Sequence, residues 1–302
     1  KKLPLRSQIR IKPIGGLGNQ LFIWAFAKKL QSVRPQSKIL AATGHFHDYP
    51  WHNYELDSFD SGVQEVLSHQ GRKYVTLAKK ISVLRPVLPR ETVLAERSSA
   101  YNPDFDGPPP GNLRITGYFQ SWKYFSTITE EIRNSIADVR DPSSWFVSNP
   151  VKQIVGDQDW IAIHIRMGNY LSHTGMGVLS DSYYSRAVGE LNQYFPSTTP
   201  RVIFTDTPQG VAHYQSVLSA PNVHILRTPP ESRPIETLLL MSHASALVMG
   251  NSTFSWWAGF LGDHKSRPVF FPKPWHTSPD LDSPDFVLPQ WKGIPSIFRK
   301  RS

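Results

Sequence analysis

The stretch WIAIHIR at residues 160–166 is a nearly continuous apolar run that ends in two polar side chains, His164 and Arg166. A run without polar alternation is typical of a strand buried on both faces, as in a parallel sheet. Apolar runs and helix-spaced runs alternate after it. The predicted strands lie at 202–204, 223–226, 247–249 and 269–271, and the predicted helices at 181–195, 235–246 and 252–261. This alternation predicts an α/β domain with a doubly wound parallel sheet.

The chain before this domain opens in the order strand, glycine loop, helix. Strands are predicted at 9–12 and 113–118, helices at 17–30 and 125–137, and the glycine loop is GGLGNQ at 15–20. Residues 40–110 carry no clear pattern, and the Pro- and Trp-rich tail from Pro272 is predicted to be irregular. A Pro- and Ser-containing linker at 141–150 separates the two parts. A chain of 302 residues suggests about two domains, and we place them at 1–145 and 146–302.

Composition excludes several classes of protein. Hydrophobic residues make up 39% of the chain, Cys is absent and the net charge is +9. A disordered chain, a disulfide framework and a Cys nucleophile are therefore excluded. The basic residues are scattered apart from 299–301 and form no known binding motif, so we expect no nucleic-acid partner. The charge does suit an anionic glycan or a membrane surface, so peripheral membrane association is a further expectation.

The apolar runs and the absence of Cys indicate in which cellular compartment we expect the protein. The longest early apolar run, at 21–27, is shorter than the ~18–20 residues of a membrane span. The lack of Cys favours a reducing compartment. We expect a cytoplasmic protein, and the alternative is the soluble domain of a type II membrane protein in the Golgi lumen.

Three sets of polar residues follow predicted strands. His164 and Arg166 are two apart, which places them on one face of a strand. Asp206 ends the next strand, where a carboxylate can accept paired N–H donors. NSTF at 251–254 follows a third strand and opens a helix, whose first N–H groups attract anions. Because ligands bind beyond the carboxyl ends of parallel strands, these sets together predict a nucleotide diphosphate site without a metal.

Each set also has a purely structural interpretation. Ser252 and Thr253 are ordinary helix-capping residues, and His164 can be a hydrogen-bonded core histidine. Asp206 precedes Thr207-Pro208, a good helix start, so it can serve as a cap. The coincidence of all three sets at strand ends favours the site.

The remaining motifs are weaker. Gly16 and Gly18 lack the third glycine of a dinucleotide fingerprint, although Asn19 and Gln20 offer amides to a ligand. Paired carboxylates of the kind that bind divalent cations occur at Asp104/Asp106, Asp157/Asp159 and Asp280/Asp282. We interpret these pairs as loop or capping residues, and the cluster His45, His47 and Asp48 as a surface loop rather than a metal site.

The motifs as a set resemble family 11 glycosyltransferases, the α-1,2-fucosyltransferases, and the bacterial members more closely. Two stretches are specific, GYFQSWKYF at 117–125 and NSTFSWW at 251–257. Weaker matches are GGLGNQLF at 15–22, His164-Ile165-Arg166, GVL at 177–179 with Tyr183-Tyr184, and Phe204-Thr205-Asp206. They occur in the family's order from about residue 9 to residue 275.

The resemblance implies two Rossmann-like domains facing across a cleft (the GT-B fold), GDP-β-L-fucose as donor, inversion at the anomeric carbon, and no required metal or cofactor. It assigns Arg166 to the diphosphate and His164 with Asp206 to the guanosine part. Ser252, Thr253 and Phe254 would bind the phosphates, and Asn19, in the loop of Gly16 and Gly18, would lie near the fucose or phosphate.

The chain departs from the family pattern His-x-Arg-Arg-x-Asp-Tyr at Met167 and Asn169. An amide cannot act as a general base. One hypothesis is that Arg166 and the helix start stabilise the leaving phosphate, which then collects the acceptor proton. Asn169 remains a candidate catalytic residue with Arg166, and His173 and Asp181 are reserve candidates for the base.

We therefore expect transfer of fucose to O-2 of a terminal galactose on a glycan. The alternatives are a protein O-fucosyltransferase and a catalytically weakened GDP-sugar- or glycan-binding protein. The acceptor groove is expected within residues 40–110, where Trp51, His52 and Tyr54 are candidates for stacking on a sugar. Ordinary loop packing is an equally good interpretation of these three residues.

Overall fold

The computed structural model describes residues 7–48, 51–66, 91–171, 176–263, 267–278 and 282–299. The chain divides into two compact units, residues 1–140 and 141–302. Each unit is built around one parallel β-sheet, which confirms the α/β prediction. No helix in the described ranges is both long enough and apolar enough to cross a lipid bilayer.

The N-terminal sheet has the strand order β3-β2-β1-β5-β4, and its described strands are all parallel. The strands are β1 (Gln8–Ile11), β2 (Lys38–Ala42), β3 (Val63–Val66), β4 (Glu91–Ala95) and β5 (Asn112–Thr116), and the α-helices are α1 (Leu17–Ser32) and α2 (Thr129–Ala137). Helix α1 is apolar on nearly every side and is buried against the sheet. Its Trp24 is fully buried and donates its indole N–H to the carbonyl of Ser61 at 2.9 Å.

The C-terminal sheet has the order β8-β7-β6-β9-β10-β11, and its described strands are also all parallel. Its strands are β6 (Ile161–Ile165), β7 (Arg201–Thr205), β8 (Val223–Ile225), β9 (Ala246–Val248), β10 (Val269–Lys273) and β11 (Lys292–Pro295). Its α-helices are α3 (Ser144–Val147), α4 (Pro150–Val155), α5 (Asp181–Leu191), α6 (Gln215–Leu218), α7 (Pro234–Ser242) and α8 (Thr253–Gly262). The chain runs outward from β6 in one direction and then from β9 in the other. The sheet therefore changes winding direction between β6 and β9, and ligands of doubly wound sheets bind at such a point.

Strand β6 is buried at all five positions, as its continuous apolar pattern predicts. Around it, residues from several elements form one core that includes Tyr184, Tyr214 and Phe270. This core packs against the ends of the strands that carry polar residues such as His164 and Arg166.

Three expectations were wrong. The tail after Pro272 is not wholly irregular, because β11 within it pairs with β10. The helix predicted to extend to residue 195 ends at Leu191. The helix predicted from 125 begins at Thr129, because Phe125 has a non-helical backbone inside a preceding 3₁₀ segment, Trp122–Ile128.

Candidate functional site

His164 lies where the C-terminal sheet changes winding direction. Its side chain is buried, and burial is the main cause that lowers its pKa to about 4. The imidazole is therefore neutral near pH 7, with one donor and one acceptor nitrogen. Its Nδ1 has no hydrogen-bond partner among the described residues.

Gly250, which follows β9, leaves the space beside this imidazole open. A Cβ atom at position 250 would lie 3.0 Å from the His164 carbonyl oxygen and 3.2 Å from its Nδ1. Both distances are tighter than ordinary van der Waals contacts, so only glycine fits without displacement. The backbone after β9 therefore approaches His164 closely.

Arg166 and Asp206 form an ion pair at the ends of neighbouring strands. Arg166 Nη1 lies 2.5 Å from Asp206 Oδ2. The other carboxylate oxygen accepts the Met167 N–H at 3.1 Å and the Thr207 hydroxyl at 3.3 Å. The carboxylate therefore orients the guanidinium, whose planar group of N–H donors suits a phosphate.

Tyr170 completes this cluster. Its hydroxyl donates to the Asn251 carbonyl oxygen at 3.1 Å, and Arg166 Cζ lies 5.2 Å from the centre of its ring. Burial raises the pKa of its phenol. Tyr170 was not among the residues predicted from strand ends, because it lies in the short 3₁₀ helix Gly168–Leu171. The family pattern His-x-Arg-Arg-x-Asp-Tyr was the available signal.

Helix α8 begins beside these residues. The Ser252 hydroxyl accepts the Phe254 N–H at 3.2 Å and so caps the helix. The Phe254 ring lies 5.8 Å from the His164 ring, between centroids. A ten-residue helix that starts here directs the positive end of its dipole at this edge of the sheet.

Two buried tyrosines on α5 support the strand ends. Tyr183 donates its hydroxyl to the Met249 carbonyl at 2.7 Å, and Tyr184 donates to the His164 carbonyl at 3.0 Å. Both phenols satisfy buried carbonyls, one within β6 and one directly after β9. The two hydroxyls therefore connect α5 to the carboxyl ends of β6 and β9.

The N-terminal glycine loop is a separate feature of its own unit. Gly15 has a φ of +71°, and the Gln20 amide donates to its carbonyl at 2.8 Å. The Asn19 side-chain oxygen accepts from Gln120 at 3.0 Å. A Cβ at Gly16 would lie 3.3 Å from the His52 ring, so Gly16 is closely packed, and Gly18 lies in the first turn of α1.

The structure therefore brings together His164, Arg166, Asp206, Ser252, Thr253 and Phe254 at one sheet edge. Met167, at the family's second Arg position, points into the core and is 2% exposed. The side chain of Asn169 and the whole of His173 lie outside the described residues. The Asp181 carboxylate accepts from the Ser216 hydroxyl at 2.6 Å, so it is already bound within the fold.

The carboxylate pairs have structural partners. Asp106 pairs with Lys29, Asp157 with Lys152, and Asp159 accepts from Ser245. Asp282 accepts the backbone N–H groups of Trp275 and His276, and Asp280 lies outside the described residues. Within the described ranges, no group of three or more His, Asp or Glu side chains is arranged to hold a metal ion.

Known proteins are similar to this chain in sequence and in fold. An *Escherichia coli* protein named Alpha-1,2-colitosyltransferase is 22% identical over 289 residues, which are 93% of this chain and 96% of that protein. Galactoside 2-alpha-L-fucosyltransferase of *Caenorhabditis elegans* is 25% identical over 189 residues, 59% of this chain and 51% of that one. Among solved structures, NodZ alpha-1,6-fucosyltransferase soaked with GDP-fucose superposes with a TM-score of 0.52 at 11% identity, over 85% of this chain and 93% of that one. At this identity the likeness shows the fold alone, the GT-B type.

The family assignment rests on nearly the whole chain. Residues 8–295 match the family described as Glycosyl transferase family 11. The match spans both sheets, the glycine loop and the cluster around His164 and Arg166. The chain belongs to glycosyltransferase family 11.

Proposed function

We propose that the protein transfers L-fucose from GDP-β-L-fucose to O-2 of a terminal galactose on a glycan, with inversion and without a metal. The observation that carries this proposal is the Arg166 guanidinium, held by Asp206 beside the start of α8. Such an arrangement suits a diphosphate, since a planar guanidinium and a helix N-terminus both favour phosphate oxygens.

Each residue of the cluster has a role in donor binding. Arg166, with Ser252, Thr253 and Phe254 at the helix start, binds the diphosphate. Neutral His164 offers its unpartnered Nδ1 to the nucleoside part. We assign Asp206 to the orientation of Arg166, because three contacts already engage its carboxylate.

The proposed reaction places negative charge on the diphosphate of the donor as GDP leaves. The acceptor hydroxyl oxygen forms a bond to the anomeric carbon on the face opposite GDP. The bond from that carbon to the β-phosphate oxygen breaks, and its electron pair stays with GDP. The hydroxyl proton passes to solvent rather than to the leaving phosphate, because that phosphate lies on the opposite face of the sugar. Arg166 and the α8 dipole stabilise the negative charge on the leaving diphosphate, as preorganised donors do in other enzymes. A metal ion is not needed for that stabilisation.

The test is a donor screen followed by a transfer assay. At a hundredfold excess over Kd, a donor stabilises the folded state by about 2.7 kcal/mol, which raises the melting temperature by at least about 5 °C. We expect this rise with GDP-fucose, and transfer to lactose in the presence of EDTA, with an α-1,2 linkage in the NMR spectrum of the product. Stabilisation by GDP-mannose or a uridine sugar but not by GDP-fucose would overturn the proposal.

A second candidate donor is GDP-colitose. The observation in its favour is the *E. coli* relative named Alpha-1,2-colitosyltransferase, which aligns with 93% of this chain. The same assay decides between the donors by their kcat/KM ratio. Donor binding without transfer or hydrolysis would instead indicate a sugar-nucleotide-binding protein, and transfer to a protein hydroxyl but not to lactose would indicate a protein O-fucosyltransferase.

A further inference from the structure

The turn that follows β5 has an unusual backbone. Gly117 has a φ of +141° and Phe119 a φ of +53°, and an L-residue such as Phe rarely adopts the left-handed region. The Phe119 ring is fully buried and stacks on Phe26 of α1, with centroids 4.4 Å apart. Backbone strain of this kind persists only where the surroundings enforce it, and it is concentrated at functional sites.

Glu96 is the residue that enforces the turn. Its Oε2 accepts the Tyr118 N–H at 2.7 Å, and its Oε1 accepts the Phe119 N–H at 3.0 Å. One carboxylate thus binds both amides of the turn. Because both oxygens are engaged in this way, we assign Glu96 a positioning role rather than that of a general base.

The turn lies where a ligand is expected. Strands β1 and β5 are parallel neighbours in the N-terminal sheet, and the turn directly follows the carboxyl end of β5. Beside it, Gln120 donates to Asn19 in the first turn of α1, the helix that follows β1. Ligands of open parallel sheets bind beyond the carboxyl ends of the strands, which is where this turn lies.

The turn directs its two aromatic residues to different environments. Phe119 is buried, whereas Tyr118 is 42% exposed. An exposed ring on a rigid turn needs little ordering when a ligand binds, and the face of an aromatic ring packs well against the C–H face of a sugar.

We propose that Tyr118 is a stacking surface for the galactose ring of the acceptor and that Glu96 positions it by holding the turn 117–119. This inference rests on the proposed function, because it assumes a glycan acceptor. It adds a specific subsite to that function, in residues that the strand-end motifs did not include.

The test compares matched variants by steady-state kinetics with lactose and GDP-fucose. Tyr118→Phe keeps the ring, whereas Tyr118→Ala removes it. Glu96→Gln leaves one side-chain oxygen that can accept a backbone N–H. It places an NH₂ group, which cannot accept a hydrogen bond, opposite the other N–H. Glu91→Gln is its control, since Glu91 is the first residue of β4, the strand that Glu96 follows, and it pairs with Arg10 and Arg114.

We expect Tyr118→Ala and Glu96→Gln each to raise the KM for lactose about tenfold, which corresponds to about 1.4 kcal/mol. The KM for GDP-fucose should stay within about twofold. Glu91→Gln should leave both values close to those of the wild type, and Tyr118→Phe should raise the KM for lactose less than Tyr118→Ala does. An unchanged KM for lactose in Tyr118→Ala overturns the inference, even where Glu96→Gln fails to fold.

Direct binding separates this inference from the proposed function. Lactose binding to the GDP-bound protein is measured by isothermal titration. If the wild type does not transfer fucose but binds lactose, and Tyr118→Ala abolishes binding, the proposed function fails and the stacking surface stands. If the wild type transfers fucose and Tyr118→Ala binds lactose normally, the function stands and the inference fails. If the wild type does not bind lactose at all, the inference is overturned.

Discussion

Arg166 and Asp206 occupy equivalent places at the ends of two adjacent strands and contact each other at 2.5 Å. The register of the sheet explains this contact, because Ile165 of β6 is paired with Thr205 of β7. Arg166 and Asp206 directly follow these two paired residues, so their side chains lie next to each other. The two side chains are 22% and 26% exposed, so the pair is partly shielded from solvent but accessible to a ligand.

Replacement of Arg166 by Lys should weaken GDP binding about 10- to 100-fold. Lys keeps the charge but loses the planar group of donors that can contact Asp206 and a phosphate together. Isothermal titration with GDP measures the effect. The control is Arg186→Lys, because Arg186 is exposed and donates to the Pro295 carbonyl in the same unit. Equal GDP affinity in Arg166→Lys and the wild type would contradict the assigned role.

Replacement of Met167 by Arg should destabilise the protein rather than restore the family pattern. Met167 is 2% exposed, and the Gly210 backbone leaves the space that its side chain fills. Burial of a guanidinium without a partner costs several kcal/mol, so we expect the melting temperature to fall by about 10 °C or more. Met167→Leu, which conserves volume, should cost less than about 1.5 kcal/mol. A stable Met167→Arg variant with tighter GDP binding would show that position 167 can turn toward the donor.

The stability of the protein should depend on His164 between about pH 6.5 and pH 4. Burial lowers the pKa of His164 from 6.5 to about 4, so the unfolded chain takes up a proton in this interval and the folded protein does not. Stability from the neutral imidazole is present above pH 6.5 and is lost as the pH falls toward 4, at up to about 1.4 kcal/mol per pH unit.

His164→Asn should remove this dependence. Its packing loss lowers the melting temperature at every pH, but the slope between pH 6.5 and pH 4 should be shallower than that of the wild type. Thermal unfolding followed by circular dichroism across this interval provides the comparison. Parallel curves for the two proteins would exclude a buried neutral His164.

Addition of a methyl group at Gly250 should impair donor binding. The new Cβ would lie 3.0 Å from the His164 carbonyl oxygen and 3.2 Å from its Nδ1, so His164 must shift. We expect the KM for GDP-fucose to rise about tenfold in Gly250→Ala, equivalent to about 1.4 kcal/mol. Gly189→Ala on α5 is the control, because no heavy atom lies within 4 Å of its added Cβ. A similar KM in both variants would count against close packing at the donor site.

The strand ends of the C-terminal unit could be predicted because their signals are local. A buried parallel strand is continuously apolar, and the first polar residues after it mark its carboxyl end. His164, Arg166, Asp206 and Ser252 were located in this way. Strands β2, β3 and β4 could not be located, because they are short or partly exposed and lie in sequence rich in polar residues and Pro.

The role of Glu96 could not be predicted from its neighbours in the sequence. Nothing around it resembles a motif. Its carboxylate reaches the turn after β5 only because β4 and β5 are adjacent in the sheet. The same reason applies to Tyr184, whose hydroxyl reaches the His164 carbonyl across the core.

Local pattern in the amino-acid sequence was therefore enough to specify the α/β class, the order of elements in the C-terminal unit and the polar residues at its strand ends. Periodicity and turn residues depend on a few neighbouring positions, and such local information is sufficient to predict these three features. Folding alone settled which atom each polar group contacts, that Asp206 holds Arg166, that Met167 faces the core and that Glu96 holds a turn. These contacts join residues distant in the chain, and their partners are set by strand order and register, which no local pattern contains.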